Sequence, residues 1–208
     1  TPRGGQRLLF SATLDNGVKK LVDKFLQNQV MHAVDEANSP VTEMTHHVLE
    51  ASDAEAKKRL VYALASGTGR RILFMRTKHH AKKLAKALTQ AGIPAVALHG
   101  NLPQAARDRH LEAFSTGRAR VLVATDVAAR GVHVDGVDLV IHVDPPAEHK
   151  AYLHRSGRTA RAGASGDVVT ISLPTQRKDL SDLLSKAKIS VKPKSVTEKS
   201  AEVIALIG

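Results

Sequence analysis

The sequence predicts a three-layer α/β domain in which a parallel sheet is flanked by helices on both faces. Two observations carry this expectation. Short apolar runs alternate with helical stretches from about residue 41 to residue 188, and strands separated by helices of roughly 10–15 residues imply crossovers between parallel strands. Two of the runs, "RVLVAT" (Arg120–Thr125) and "VDLVIHVD" (Val137–Asp144), are almost wholly apolar, as strands buried on both faces must be.

Taken in order, "MTHHVLE" (Met44–Glu50) reads as a strand and "DAEAKKRLVYALAS" (Asp53–Ser66) as a helix whose Leu60, Val61 and Leu64 share a face. "RRILFM" (Arg70–Met75) is a strand, followed by a helix from Thr77 to about Ala91 that Gly92 closes. "PAVALHG" (Pro94–Gly100) is a strand. Pro103 then sits where a helix begins and its missing N–H costs nothing, and Gly117 ends that helix. After the two buried strands, a helix runs from about Ala147 into "HRSGRTARAG" (His154–Gly163). "DVVTISL" (Asp167–Leu173) is a strand and "RKDLSDLLSKAK" (Arg177–Lys188) a last helix.

Residues 1–40 stand apart. "QRLLFSAT" (Gln6–Thr13) reads as a strand and turn, followed by a helix near Asn16–Gln27 and a polar link "DEANSP" (Asp35–Pro40). Residues 189–208 are polar and basic and are expected to form a mobile extension. The chain opens with "TPRGGQRLLF", neither a signal peptide nor an initiator methionine, which favours a cytoplasmic protein cut from something longer.

Composition narrows the partners. The 208 residues carry a formal charge of +11 and a pI near 10.1, which predicts attraction to a polyanion. With no cysteine there is no disulfide frame, thiolate metal site or thiol nucleophile. Every apolar run is far shorter than the ~20 residues that span a bilayer, so no membrane partner is expected. Aromatic residues make up only 3% and tryptophan is absent. A platform that stacks bases is therefore not expected, and contact through phosphate and 2′-hydroxyl groups fits better.

Ligands of open α/β sheets bind at the carboxyl ends of the strands. His99 and Gly100, Thr125 and Asp126, and Val143–Pro146 all lie at those ends. The chemistry there is incomplete. No G-x-x-x-x-G-K-[ST] loop is present, and Asp144 then reads as the polar end of a buried strand. The pairs His46–His47 and His79–His80 are adjacent in sequence and diverge in space, so no metal site is expected. Ser156–Gly157 lacks the nucleophile elbow. What remains is the histidine and three arginines of "HRSGRTARAG". On a helix His154, Arg158 and Arg161 fall at i, i+4 and i+7 and share a face, with Gly157 inside the stripe and Arg155 about 100° away. Such a row suits phosphoryl oxygens, because guanidinium is planar and always charged. A solvated basic helix pairing with Glu148 or Asp182 is the other reading.

"SAT" (Ser11–Thr13), "ILFMRTK" (Ile72–Lys78), "LHGNLPQAARDRHLEAF" (Leu98–Phe114), "VLVATDVAARGV" (Val121–Val132) and "HRSGRTARAG" occur in this order. Together they closely resemble the DEAD-box RNA helicases of superfamily 2. The match is to the second RecA-like domain, preceded over residues 1–40 by the end of the first. The resemblance implies that Arg158 and Arg161 are arginine fingers toward the γ-phosphate of ATP, and that His154 and Arg155 tie their helix to the domain interface. Gly131 and Asp126 match positions near the nucleotide or supporting its loop. Gly100, Gln104, Arg107, Thr125 and Thr77 match the RNA backbone path, and Ser11 and Thr13 the motif coupling hydrolysis to strand opening. Gln104 also fits an ordinary first-turn residue, Thr77 a helix N-cap and Gly131 a turn glycine.

By the same resemblance, ATP and Mg2+ are held mainly by a first RecA-like domain of the same chain. RNA is the partner, the domain by itself is inactive, and an N-terminal strand without its home sheet is open to self-pairing. One position departs from the family. His133 stands where an aspartate usually meets the ATP ribose. An adaptor lacking catalysis, or a helicase acting on DNA, remain alternatives at this point.

Overall fold

The computed structural model describes residues 5, 7–10, 16–26, 28–32, 44–129, 134, 136–160 and 165–208. The chain divides into two units, Thr1–Ser39 and Pro40–Gly208. The first holds helix α1 (Asn16–Phe25), whose last carbonyl accepts a hydrogen bond from Arg7 Nη1 at 2.8 Å. Leu8, Leu9 and Phe10 form no strand, contrary to the expectation for this stretch. A strand exists only by hydrogen bonding to a neighbour, and no described strand pairs with these residues. Their side chains lie exposed, as do those of Leu21, Phe25, Val30 and Met31. Ser11 and Thr13 fall outside the described residues.

In the second unit the order is β1 (Met44–Glu50), α2 (Ala54–Ala65), β2 (Arg71–Phe74), α3 (Lys78–Gln90), β3 (Ala95–Leu98), α4 (Gln104–Ser115) and β4 (Val121–Ala124). It continues with α5 (Asp126–Ala129), β5 (Leu139–His142), α6 (His149–Ser156), β6 (Gly166–Ser172), α7 (Arg177–Lys186), β7 (Lys194–Ser195) and α8 (Ala201–Ile207). The described strands make one parallel sheet of seven, ordered β3-β4-β2-β5-β6-β1-β7. Leu98 lies opposite Ala124, Ala124 opposite Phe74, Phe74 opposite His142 and His142 opposite Thr170. This register brings the carboxyl ends of β3, β4, β2 and β5 level along one edge, with β6 running two residues further.

Because successive strand residues face opposite ways, the sheet feeds two cores. Leu73 joins the one formed with Leu60 and Leu64 of α2, Ala81 and Leu88 of α3, and Val203 of α8. Ile72 and Phe74 join the other, with Phe114 of α4, Tyr152 of α6 and Leu180 of α7. The helix boundaries follow capping chemistry. Asp53 accepts from the Ala56 N–H at 2.8 Å and Thr77 from the His80 N–H at 3.2 Å. Gly92 (φ +81°) and Gly117 (φ +77°) turn the chain out of α3 and α4 in the left-handed conformation that glycine allows.

The expectation of a mobile tail over 189–208 is corrected. β7 adds a seventh strand beside β1, pairing Lys194 with Leu49 and Ser195 with Glu50. α8 lies on the α2 face, with Val203 fully buried. Arg71, itself buried, donates to the carbonyls of Leu206 and Ile207 at 3.1 and 2.8 Å, satisfying the end of α8. A Cβ on Gly67 would fall 1.5 Å from Arg71 Nη2, so this latch requires glycine there. At the end of β1 the buried Glu50 carboxylate accepts two hydrogen bonds from Arg177, which hold its carboxyl below the usual range. The tail escaped detection because its elements are two and seven residues long, too short to show a period. Val203→Ala is expected to lower unfolding stability by about 2 kcal/mol in a urea titration; a detached tail would show no change.

Candidate functional site

β2, β4 and β5 deliver Arg76, Asp126 and Asp144 to the level edge, and α6 returns above them. α6 ends at Ser156, earlier than the sequence suggested. The Gly157 N–H bonds to the Leu153 carbonyl at 2.9 Å, and the Arg158 and Thr159 N–H groups bond three residues back, to Arg155 and Ser156. Ala160 then takes a positive φ of 53°. The helical face proposed for His154, Arg158 and Arg161 is therefore corrected, since Arg158 lies beyond the helix on a turn. Arg161 is outside the described residues, as are Gly131 and His133.

The turn is fastened at three points. Arg155 is 3% exposed and points inward. Its Nε and Nη2 donate to the two oxygens of Asp126 at 2.5 and 2.8 Å, and its Nη1 donates to the Asp144 carbonyl at 2.7 Å. The guanidinium also lies 5.1 Å from the centre of the Phe74 ring. Arg155 thus positions the turn from within the domain, its donors committed to Asp126 and the Asp144 carbonyl. Asp126 accordingly supports the turn. Thr159, also buried, donates to the Val137 carbonyl. A Cβ on Gly166 would come within 2.0 Å of Thr159 Oγ1 and 2.7 Å of the Ala160 nitrogen, so β6 begins with glycine to let the turn sit against it. Arg158, half-buried, sits between these fixed points, its Nε donating to the His154 carbonyl at 3.3 Å. His154 is exposed on the last turn of α6.

Beneath α6 lies a row of polar rings. The Tyr152 hydroxyl is 3.0 Å from His46 Nδ1, and its ring meets that of His142 edge-on at 4.5 Å. Burial pushes the Tyr152 phenol up to about 12. Burial first, then the Arg155 charge, holds His142 well below its ordinary value, so the imidazole is neutral. Sequence reading passed over this support. Asp144 was read as a strand end; its carboxylate accepts from the Arg76 N–H at 3.0 Å and lies 3.5 Å from Lys57 Nζ. No spacing in the sequence signals that junction, which joins α2, β2 and α6.

The proposed RNA-facing residues follow the ends of β2, β3 and β4. A Cβ on Gly100 would meet nothing within 4 Å, so the fold itself leaves room there. Thr125 accepts through its carbonyl from the N–H groups of Ala128 and Ala129, starting α5. Arg107 Nη2 donates to the Ala128 carbonyl at 2.8 Å, holding α4 against α5. Gln104 donates to Asp108 at 2.8 Å on the exposed first turn of α4. Thr77 is a helix cap, as one of its two readings had it. Among the described residues no group of three histidine or acidic side chains could hold a metal ion.

A parallel sheet with helices on both faces, offering a fastened arginine turn at its strand ends, defines a RecA-like helicase domain. The chain belongs to the family described as helicase conserved C-terminal domain, which it matches over residues 55–163. It is 43% identical over 169 residues to the ATP-dependent rRNA helicase RRP3 of Debaryomyces hansenii, covering 81% of this chain and 35% of that protein. It is 39% identical over 181 residues to the ATP-dependent RNA helicase drs1 of Aspergillus oryzae, covering 85% and 22%. The chain thus spans about a third or less of these relatives' length. Among solved structures, S. cerevisiae Dbp5 bound to RNA and ADP BeF3 superposes with a TM-score of 0.77 at 26% identity, covering 100% of this chain and 56% of that one. The E. coli DEAD-box protein SrmB, bound to regulator of ribonuclease activity A, gives 0.68 at 32% identity, covering 74% and 95%.

Asp126→Ala would strand the Arg155 charge in a buried position. It is expected to cost roughly 3 kcal/mol in denaturant unfolding, and a change below 1 kcal/mol would show that the pair does not hold the turn.

Proposed function

We propose that this domain is the second half of a two-domain, ATP-dependent RNA helicase of the DEAD-box kind. The observation that carries the reading is the arginine turn. Arg155 is locked to Asp126, Thr159 is pinned to the Val137 carbonyl, and Arg158 is thereby presented at the strand ends. A planar cation held in advance costs no reorganisation when charge develops on phosphoryl oxygens. When bound, ATP supplies the phosphoryl group whose transfer to water drives domain opening and closing. Arg158 and Arg161 neutralise its terminal oxygens from across the interface, and a preceding RecA-like domain grips the rest. The exposed Leu8, Leu9 and Phe10 fit a strand belonging to that preceding sheet. By itself this domain hydrolyses nothing.

Gly100, Gln104, Arg107, Thr125 and Thr77 carry the RNA reading. They sit on adjoining strand ends and helix starts, where backbone N–H groups and short polar side chains meet phosphates. The open space at Gly100 admits a sugar-phosphate backbone. Little base preference follows from contacts of this type. Strand separation is then local, made by bending the bound strand.

Two experiments on the full-length enzyme test this. Arg161→Ala is expected to reduce RNA-stimulated ATP hydrolysis by about 10³-fold, with Arg158→Ala also strongly impaired; retained turnover would overturn the assignment, and stronger stimulation by DNA than by RNA would change the substrate. His133→Asp is expected to tighten ATP affinity by restoring a carboxylate acceptor for ribose hydroxyls. An unchanged dissociation constant would remove His133 from the nucleotide site.

A further inference from the structure

We propose that the exposed face of α3 is a second phosphate-binding surface, contacting RNA that continues beyond the strand end at Gly100. The proposal rests on the RNA-helicase reading above and extends it to residues outside the five already named. Helix α3, "KHHAKKLAKALTQ", contains four lysines and no acidic residue. Ala81, Ala85 and Leu88 turn into the core, while Lys78, Lys82, Lys83 and Lys86 are all exposed. None of these four lysines forms an ion pair among the described residues. Elsewhere in the unit Lys57, Arg59, Arg118, Arg155, Arg177 and Lys194 each hold a carboxylate. Other cations of the unit also form no ion pair among the described residues; α3 differs in gathering four exposed lysines on one helix that holds no acid.

The arrangement works against the helix itself. Lys78 stands in the first turn, where the helix dipole disfavours cations, and Lys78–Lys82 and Lys82–Lys86 are like charges four residues apart. A surface that only needed to be soluble would interleave acids. Contiguity with the RNA path comes from packing: α3 begins just past the carboxyl end of β2 and lies against β3, which ends at Leu98 before His99 and Gly100. His99 is 8% exposed at the end of β3, beside Gly100, and its Nδ1 has no partner. Burial holds its imidazole below the ordinary value, and the charges of Lys82 and Lys78 push it the same way, as neighbours do. The basic face therefore starts at the strand end and runs along α3 for about 12 Å from Lys78 to Lys86 at 1.5 Å per residue. A polyanion is the partner whose charge matches such a row.

The test uses the full-length helicase and the variant Lys82→Gln/Lys83→Gln/Lys86→Gln, with RNA affinity measured across a salt series. One probe is a single strand just long enough for full ATPase stimulation; the other is that strand extended at both ends. Each phosphate contact contributes about 0.7 to the slope of log affinity against log salt for single strands. The variant is expected to lose about 2 from the slope on the extended probe while keeping the wild-type slope on the short one. Its thermal unfolding midpoint is expected to be unchanged or raised, since like charges have been removed. A wild-type slope on the extended probe would overturn the proposal and favour an acidic protein partner for this face. An equal loss on both probes would also overturn it, marking a general charge effect. If the wild-type enzyme bound neither probe, the helicase reading itself would fail.

Discussion

The structure turns on one buried guanidinium. Arg155 is taken out of water, which is tolerable only because Asp126 accepts two of its hydrogen bonds, the Asp144 carbonyl a third, and the Phe74 ring faces its charge. Those partners come from the ends of β4, β5 and β2. Satisfying one side chain therefore fixes α6 relative to three strands at once. The turn after α6 inherits that fixity, and Arg158 is displayed by it. The placing of Arg158 depends here on a neighbour whose donors all stay inside the domain.

The same edge divides labour between rigidity and access. Around Arg155 the side chains are buried and paired, and the ring row of Tyr152, His142 and His46 fills the space beneath. Toward β3 the surface opens. Gly100 has no neighbour where a side chain would stand, Gln104 and Thr77 are exposed, and α3 carries lysines without acids. Under the proposed function, an arginine that meets a phosphoryl group at a defined position needs the first environment. A backbone followed through charge tolerates the second.

At the opposite end of the strands the arginines do structural work. Arg70 donates to the Gly136 and Ser115 carbonyls at 3.0 and 2.9 Å. Arg71 closes α8. A basic protein thus uses chemically identical side chains in two ways, and only their surroundings distinguish them. The net charge of +11 counts these latches together with the exposed cations.

Alternation of apolar runs, glycine stops and capping residues determined the α/β class, the order of the elements from β1 to α7 apart from the single-turn α5, and the strand ends at which a site must lie, because these depend on local periodicity and backbone preference. Tertiary structure decided the rest. It turned Arg155 inward and Arg158 onto a turn, since helical spacing cannot reveal that Gly157 and the buried Thr159 end the helix. It also recruited residues 194–207, whose elements are stable only against β1 and α2, so no window of sequence contains the partner that orders them.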